Sequence, residues 1–377
     1  MLFKKAVFAL MAICIVFEAG GCWDAIDVNN KILVVTVITD MKGGDLYYYI
    51  EAPNLEKEQN QQSSGGESSN YFTMSAKGSS YADVRRHMDA KADNPLYLGT
   101  VRALIITDEL ARFDIDEYIL RMESDNQYRK ALNIITSSSE PNEILSVYPP
   151  NNISVGESIS ESITTLKSLG KVVSYTISDI LDFISSNTSF VLINMDVEDG
   201  LLTYNGYSII RQNKMVGFIP FEESIGLVWI LGDNIIRIYT VPFDNCSATI
   251  QVKLSNKSFR PYYEDGKLVY DVKFKMDSKL MNLNKNVKID GELQKTIKDK
   301  LQNQIANDIA MGIKQSKEFQ CDYLGFKESY RIKYPNNMKT IDWDDTYKNA
   351  DFRISVESTL EFGAMTDFNI SSESMSQ

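Results

Sequence analysis

The sequence predicts an α/β protein of three consecutive domains, each a mixed or antiparallel sheet packed with helices. Three observations predict it. Short β-branched apolar runs alternate with amphipathic stretches over residues 31–232. Period-two alternation then dominates residues 235–283. Finally, "ELQKTIKDKLQNQIANDIAMGIKQS" carries an isoleucine or leucine every fourth residue, which places a long helix on the last, β-rich sheet.

The N-terminus comes first because it is set apart from the rest. Lys4 and Lys5 precede an unbroken apolar run from Ala6 to Phe17. A membrane-spanning helix needs about 20 apolar residues, whereas runs of about 10–14 suit the core of a signal peptide. Glu18 ends the run, and Ala19-Gly20-Gly21 are the small residues a signal peptidase accepts. Cys22 follows directly. A cysteine there is the lipoprotein pattern: its thiol takes a diacylglyceryl group and becomes the first mature residue. Two acyl chains are needed because one alone anchors only marginally. The usual leucine three residues before the cysteine is replaced by Ala19. The competing reading is an ordinary secretory signal with a cysteine beyond it by chance. Either way residues 1–21, Cys14 included, are excluded from the fold.

The mature chain holds two or three domains' worth of residues. No second apolar run approaches membrane length. The net charge of −12 argues against nucleic acid, which binds through Lys and Arg on phosphates, and against a basic face on anionic lipid. An acidic surface beside a membrane points to solvent or to a protein partner. Cys246 and Cys321 could pair in an extracytoplasmic compartment, but no spacing motif asks for it. Unpaired thiols are the commoner outcome. With one histidine and no CxxC, no zinc pattern is present.

In the first domain, residues 22–150, "KILVVTVITD" reads as a buried strand. It turns at Gly43-Gly44 into "DLYYYIEAP". Residues 54–70 are polar and low in complexity, and read as a disordered loop. "YFTMSAKG" resumes the sheet. A helix follows, with Ser79 or Ser80 as its cap and Tyr81, Val84 and Met88 on one face. "LYLGTVRALIITDELA" reads as one buried strand, "FDIDEYILRMESD" as a helix and "KALNIITSSS" as a strand. "EPNEILSVYP" is a short helix with Pro141 in its first turn. Pro149-Pro150-Asn151-Asn152 marks the first boundary.

The second domain, residues 151–233, opens with a helix carrying Ile159, Ile163 and Leu166 and stopping at Gly170. A shorter helix contains residues 179–183. "SFVLINMDV", "LLTYNGYSIIRQN" and "KMVGFIP" are strands, with Gln212-Asn213 as the turn between the last two, and "FEESIGLVWILGD" is a helix. The third domain, residues 234–366, holds "IIRIYTVP", "SATIQVKLSNKSFRPYY" and "KLVYDVKFKMDSKLMNL" as strands, with a turn at Glu264-Asp265-Gly266. In its long helix Ile297, Leu301, Ile305, Ile309 and Ile313 recur every four residues. That stripe drifts by about 160° over its length, which suits a helix lying across a twisted sheet. "DFRISVESTLEFG" is a closing strand, and residues 367–377 a frayed tail.

Candidate chemistry is sparse. His87 is the only histidine, so any Ser-His-Asp or Cys-His hydrolase must use it. It lies in an amphipathic helix, with no Gly-rich nucleophile elbow in the chain, and reads as a solvent-facing residue. No GxGxxG or GxxxxGK[ST] occurs. Carboxylate pairs are the remaining enzymatic option: Asp114 with Asp116, Glu222 with Glu223, and Asp342, Asp344 and Asp345 around Trp343. With 51 acidic residues, adjacent pairs arise by chance, and a non-catalytic chain is expected. Tyr47-Tyr48-Tyr49 on a strand places Tyr48 opposite its neighbours, as ordinary sheet packing.

Several stretches together resemble one family. "GCWDAIDVNNKILVVTVITD" looks like the mature start of the Ger(x)C lipoproteins, the C subunits of spore germinant receptors. "LYLGTVRALIITDELARFDIDEYILRMESDNQYRKALNIITSSSEPNEIL" is similar to their N-terminal-domain pattern. "GYSIIRQNKMVGFIPFEESIGLVWILGD" and "DYLGFKESYRIKYPNNMKTIDWDDTYKNADFRISVESTLEFG" resemble their middle and closing segments. The departures are Ala19, Asp27 where Glu is common, and the polar insertion at 54–70. The resemblance implies three α/β domains and a lipid on Cys22 holding the chain to the outer face of the spore inner membrane. It also implies assembly with two polytopic subunits, A and B, with no catalytic role, no cofactor and no expected small-molecule site. From another class, a solute-binding lipoprotein of a membrane transporter shares the anchor, size and α/β content. It would need two similar lobes, which the β-rich final third does not suggest.

Overall fold

The computed structural model describes residues 30–54, 70–124, 128–149, 151, 153–285, 287 and 290–361. Cys22, most of the polar loop at 54–70 and the tail at 367–377 lie outside the described residues. The expected mixed α/β architecture is present, built on two main sheets.

The chain enters as β1 (Ile32–Leu33), β2 (Thr36–Lys42), β3 (Asp45–Pro53) and β4 (Tyr71–Gly78). Gly43 and Gly44, with φ of 61° and 89°, make the β2–β3 turn. Helix α1 (Tyr81–Asp89) is capped by Ser80, whose side chain accepts from Asp83 N, and it buries Tyr81, Val84 and Met88. The expected single strand over 96–111 is instead three pieces: β5 (Leu96–Tyr97), a 3-10 turn and β6 (Ala103–Thr107), running into helix α2 (Asp108–Phe113). The break has a cause. The Thr100 hydroxyl donates to the Val34 carbonyl at 2.9 Å, while β5 pairs with β1 in a separate two-stranded ribbon. Then follow α3 (Asp116–Ser124), β7 (Asn133–Ser137), α4 (Pro141–Leu145), α5 (Val155–Ser168) and α6 (Ile177–Ser185).

Strands β8 (Phe190–Glu198), β9 (Leu201–Arg211) and β10 (Lys214–Pro220) complete an eight-stranded sheet of order β10-β9-β8-β7-β6-β2-β3-β4. Its centre, β2-β6-β7-β8, is parallel. The proline pair at 149–150 falls between β7 and β8, yet Ile135 pairs with Ile193 across that point, so the sheet runs through it. Both faces of the centre are covered, which is why β6 and β8 read as continuous apolar runs. Ala103, Ile105, Val191 and Ile193 face α5, whose Val155, Ile159 and Ile163 meet them. Leu104, Ile106 and Leu192 face the other way, into a core with residues of α1, α2, α3 and α6. There Tyr48, Tyr81 and Tyr118 pack with ring centroids 5.0–5.8 Å apart.

A 3-10 turn at Phe221–Glu223 precedes α7 (Ile225–Leu231), so the expected single helix is broken at Ser224, whose hydroxyl donates to the Phe221 carbonyl. The second sheet is β11 (Ile236–Phe243), β12 (Cys246–Glu264), β13 (Lys267–Leu283) and, last in the chain, β14 (Asp351–Glu361), in that order. Between β13 and β14 lie α8 (Gly291–Glu318), α9 (Phe326–Lys333) and α10 (Trp343–Asn349). The isoleucine–leucine stripe of α8 is buried throughout, from Ile297 to Ile313. The sequence pattern assigns no helix to α9 or α10. They are held by aromatic packing: Phe326 lies 5.0 Å from Tyr270, and Tyr330 5.3 Å from Trp343.

Close contacts in the second half of α8 and just after it position the neighbouring helices. Helix α7 crosses α8 at Gly226 and Gly312, where backbones touch. A methyl group on Gly226 would stand 1.9 Å from the Asp308 carbonyl oxygen. Beside this crossing, Trp229 Nε1 donates to the Tyr239 hydroxyl at 2.9 Å, and that hydroxyl donates to Asp308 Oδ2 at 2.6 Å. At the far end of α8, Asp322 is buried and accepts from the backbone N–H groups of Phe326 and Lys327 at 3.1 and 2.6 Å, which seats α9.

Replacing Gly226 by alanine is expected to destabilise the protein by about 1–3 kcal/mol, because the added methyl meets backbone rather than a movable side chain. Gly291→Ala, where nothing lies within 4 Å, should be near neutral. Denaturant midpoints of the two variants check this. Burial pushes the Asp322 carboxyl up to about 6. A raised folded-state pKa means that the folded chain holds the proton more tightly than the unfolded one. Asp322 therefore adds stability at pH 4 that is lost as pH rises toward 6 and above. The stability of the protein relative to Asp322→Asn should fall by about 3 kcal/mol between pH 3.5 and 7, read from urea unfolding across that range.

Candidate functional site

The residues singled out for chemistry are occupied with structure. His87 is half-buried on α1. Its Nδ1 lies 2.7 Å from the Lys77 carbonyl oxygen, and its Nε2 3.9 Å from Asp83 Oδ1. Asp114 Oδ1 accepts from Asp116 N at 2.7 Å at the entrance to α3. Glu223 Oε2 accepts from Gln315 Nε2 at 2.8 Å and so ties the 3-10 turn to α8. Asp342 caps α10 by accepting from Asp345 N at 3.2 Å. Asp344 Oδ2 lies 3.6 Å from Arg211 Nη2. Each carboxylate pair thus serves a helix start or a tie between elements. Among the described residues no three His, Cys, Asp or Glu side chains gather in a metal-binding group. Cys246 and Cys321 are free thiols; Cys321 is buried, which pushes its thiol up to about 12. Tyr48 faces one side of the sheet, and the stacked Tyr47–Tyr49 pair, 6.4 Å between centroids, the other.

Sheets with a parallel centre usually bind ligands beyond the carboxyl ends of their strands. Here that edge is filled by the protein's own groups. Asp196, on β8, accepts at Oδ1 from Ser137 Oγ and Ser138 N, and at Oδ2 from Ser138 Oγ and Asn205 Nδ2, at 2.7–3.0 Å. Thr107 Oγ1 donates to Asp40 Oδ1 at 2.6 Å. A second buried carboxylate, Glu51, accepts from the Thr36 hydroxyl and from Val155 N at 3.0 Å. It holds the first turn of α5 on the sheet, and burial raises its pKa. Neither carboxylate is left with the free face that acid or base work requires.

Two openings stand out among the described residues. One, of about 320 Å3, is polar. It lies where the β9–β10 turn meets the C-terminal helices, and Ser189, Arg211, Lys327 and Asp344 line it. The other, of about 510 Å3, is a shallow apolar groove between the second half of α8 and the start of β14. Ala310, Ile313, Phe352 and Ile354 form its floor, with Lys314, Lys317 and Lys348 beside them. Sequence reasoning missed both, since their walls come from segments up to 157 residues apart that share no local pattern. The acid inside the apolar run "FVLINMDV" was the one local sign of the Asp196 network.

Comparison with known proteins agrees with this fold. The family described as "Spore germination protein N-terminal domain" matches residues 24–197, and that described as "Spore germination B3/GerAC like, C-terminal" matches residues 205–362. The break between the two matches falls at the β8–β9 hairpin, so both segments contribute strands to the eight-stranded sheet. Spore germination protein YndF of Bacillus subtilis (strain 168) is 21% identical, over 96% of this chain and 98% of its own length. Spore germination protein A3 of the same strain is 25% identical over 89% and 93%. The crystal structure of the GerBC protein superposes with a TM-score of 0.56 at 14% identity, covering 86% of this chain and 96% of its own. With both family segments present in order over most of its length, the chain belongs to the GerAC-like spore germination proteins.

Proposed function

We propose that the chain is the C subunit of a spore nutrient germinant receptor. Cys22 carries the diacylglyceryl anchor, and the folded body stands on the outer face of the spore inner membrane. There it assembles with the polytopic A and B subunits and couples nutrient sensing to germination, without catalysing a reaction. The observation that carries this reading is the match of both family segments, in order, over nearly the whole chain. The N-terminal sequence supports the anchor: two lysines, a twelve-residue apolar run and small residues before Cys22. The structural use of the acidic pairs and of His87 supports a non-catalytic body.

Spores carrying Cys22→Ala should move the protein from the membrane to the soluble fraction and lose the germination response, and the wild-type N-terminal peptide should carry the lipid by mass spectrometry. A Cys22→Ala protein that stays on the membrane would remove the anchor. Deletion of the gene with normal germination and intact A and B subunits would remove the coupling role.

A further inference from the structure

The second sheet has one long open edge. β14 ends the strand order and pairs with β13 in parallel from Asp351 to Glu361 without a register shift. No described strand pairs its outer side. Exposed edges are normally blunted by short length, charged side chains, proline or bulges, since they offer a row of unpaired N–H and C=O groups. β14 carries charge only on its outward face, at Asp351, Arg353, Glu357 and Glu361. β14 has eleven residues and neither proline nor bulge.

The apolar groove lies along that edge. Phe352 and Ile354 of β14 form part of its floor and remain half-buried. The charges around it are unevenly satisfied. Lys314 Nζ lies 3.6 Å from Glu318, and Lys267 Nζ 2.8 Å from Asp351. Lys317 donates to the Ala350 carbonyl at 2.8 Å and stands 5.6 Å from the centre of the Phe352 ring. Neither Lys317 nor Lys348 has a carboxylate within ion-pair distance among the described residues. A chain of net charge −12 thus presents Lys317 and Lys348, neither in a direct ion pair, beside an apolar groove and an open strand, with Glu318 and Asp351 also lining the groove.

We propose that β14 is a docking strand for an extended segment of a partner protein, apolar at alternate residues and carrying carboxylates that meet Lys317 and Lys348. The segment adds as a fifth strand. Its main chain satisfies the β14 edge, and its inward side chains enter the groove over Phe352 and Ile354. A second copy of this chain can pair the edge with its own Phe352, Ile354 and Val356 turned into the groove, but it carries Arg353 among the carboxylates that would meet the lysines. The outward residues of β14 are Asp351, Arg353, Ser355, Glu357, Thr359 and Glu361, so antiparallel self-pairing centred on Val356 sets Asp351 against Glu361, whereas the register centred on Ser355 sets Arg353 against Glu357. An acyl chain would fill the groove and leave the strand edge unpaired.

The inference rests on the receptor-subunit reading, which supplies the partner. The test uses full-length, affinity-tagged protein in spore membranes, with a photo-crosslinking amino acid in place of Ser355 or, at the opposite edge, of the exposed Ile238. The expected result is an adduct from position 355 to an A or B subunit and none from position 238. Lys348→Glu should lower the adduct yield about fivefold, the scale of one charge pair, with an unchanged melting temperature. Adducts to A or B from position 238 alone would overturn the docking strand while leaving the receptor reading intact. So would adducts from position 355 to a second copy, to residues 362–377 of the same chain or to lipid only. If the tagged wild-type protein recovers neither membrane subunit, the receptor reading falls, and the docking strand with it.

Discussion

A sheet with a parallel centre must be covered on both faces, and the rest of this molecule follows from how that requirement is met. β2, β6, β7 and β8 are apolar on both sides. One face is closed by α1, α2, α3 and α6, which follow the strands closely in sequence. The other face receives α5 and then opens toward the C-terminal half. The core on that side runs unbroken from Ile38 in β2 through Trp229 in α7 to Ala350 before β14. The two sheets therefore share one hydrophobic interior, and at Gly226 and Gly312 the backbones of α7 and α8 touch.

Burying so much main chain leaves polar groups that need partners, since an unmet buried donor or acceptor costs about 1–3 kcal/mol. Glu51, Asp196 and Asp322 answer this at three joints. Glu51 seats the start of α5, Asp196 gathers the serines after β7, and Asp322 seats α9. Each is a carboxylate accepting several N–H or O–H groups, the arrangement that makes burial of a charge tolerable. The same kind of contact occupies much of the carboxyl end of the parallel strands, the usual ligand-binding edge of such a sheet. There Thr107, Ser137 and Ser138 hold Asp40 and Asp196 in place.

What is left for recognition is surface. The long β12–β13 hairpin extends the second sheet well beyond its β11 side, and β14 closes it with an edge that no described strand covers. Family membership and this open edge point the same way.

Turns, caps and faces were legible in the sequence because they are local. Gly43-Gly44, Gln212-Asn213 and Asp265-Gly266 all take positive φ where turn chemistry places them. Ser80 caps α1, and the stripe from Ile297 to Ile313 is buried as its spacing requires. The family was also written in local residue order. Only the tertiary structure decided that strands on either side of Pro149-Pro150 share one sheet, because a parallel pair such as Ile135 with Ile193 is joined through three intervening helices that carry no mark of register. The same holds for α9 and α10, whose aromatic residues find their partners on β12, β13 and β14 rather than on a helical repeat. It holds too for the groove, where Lys317 and Phe352 meet because α8 folds back across the sheet that β14 completes.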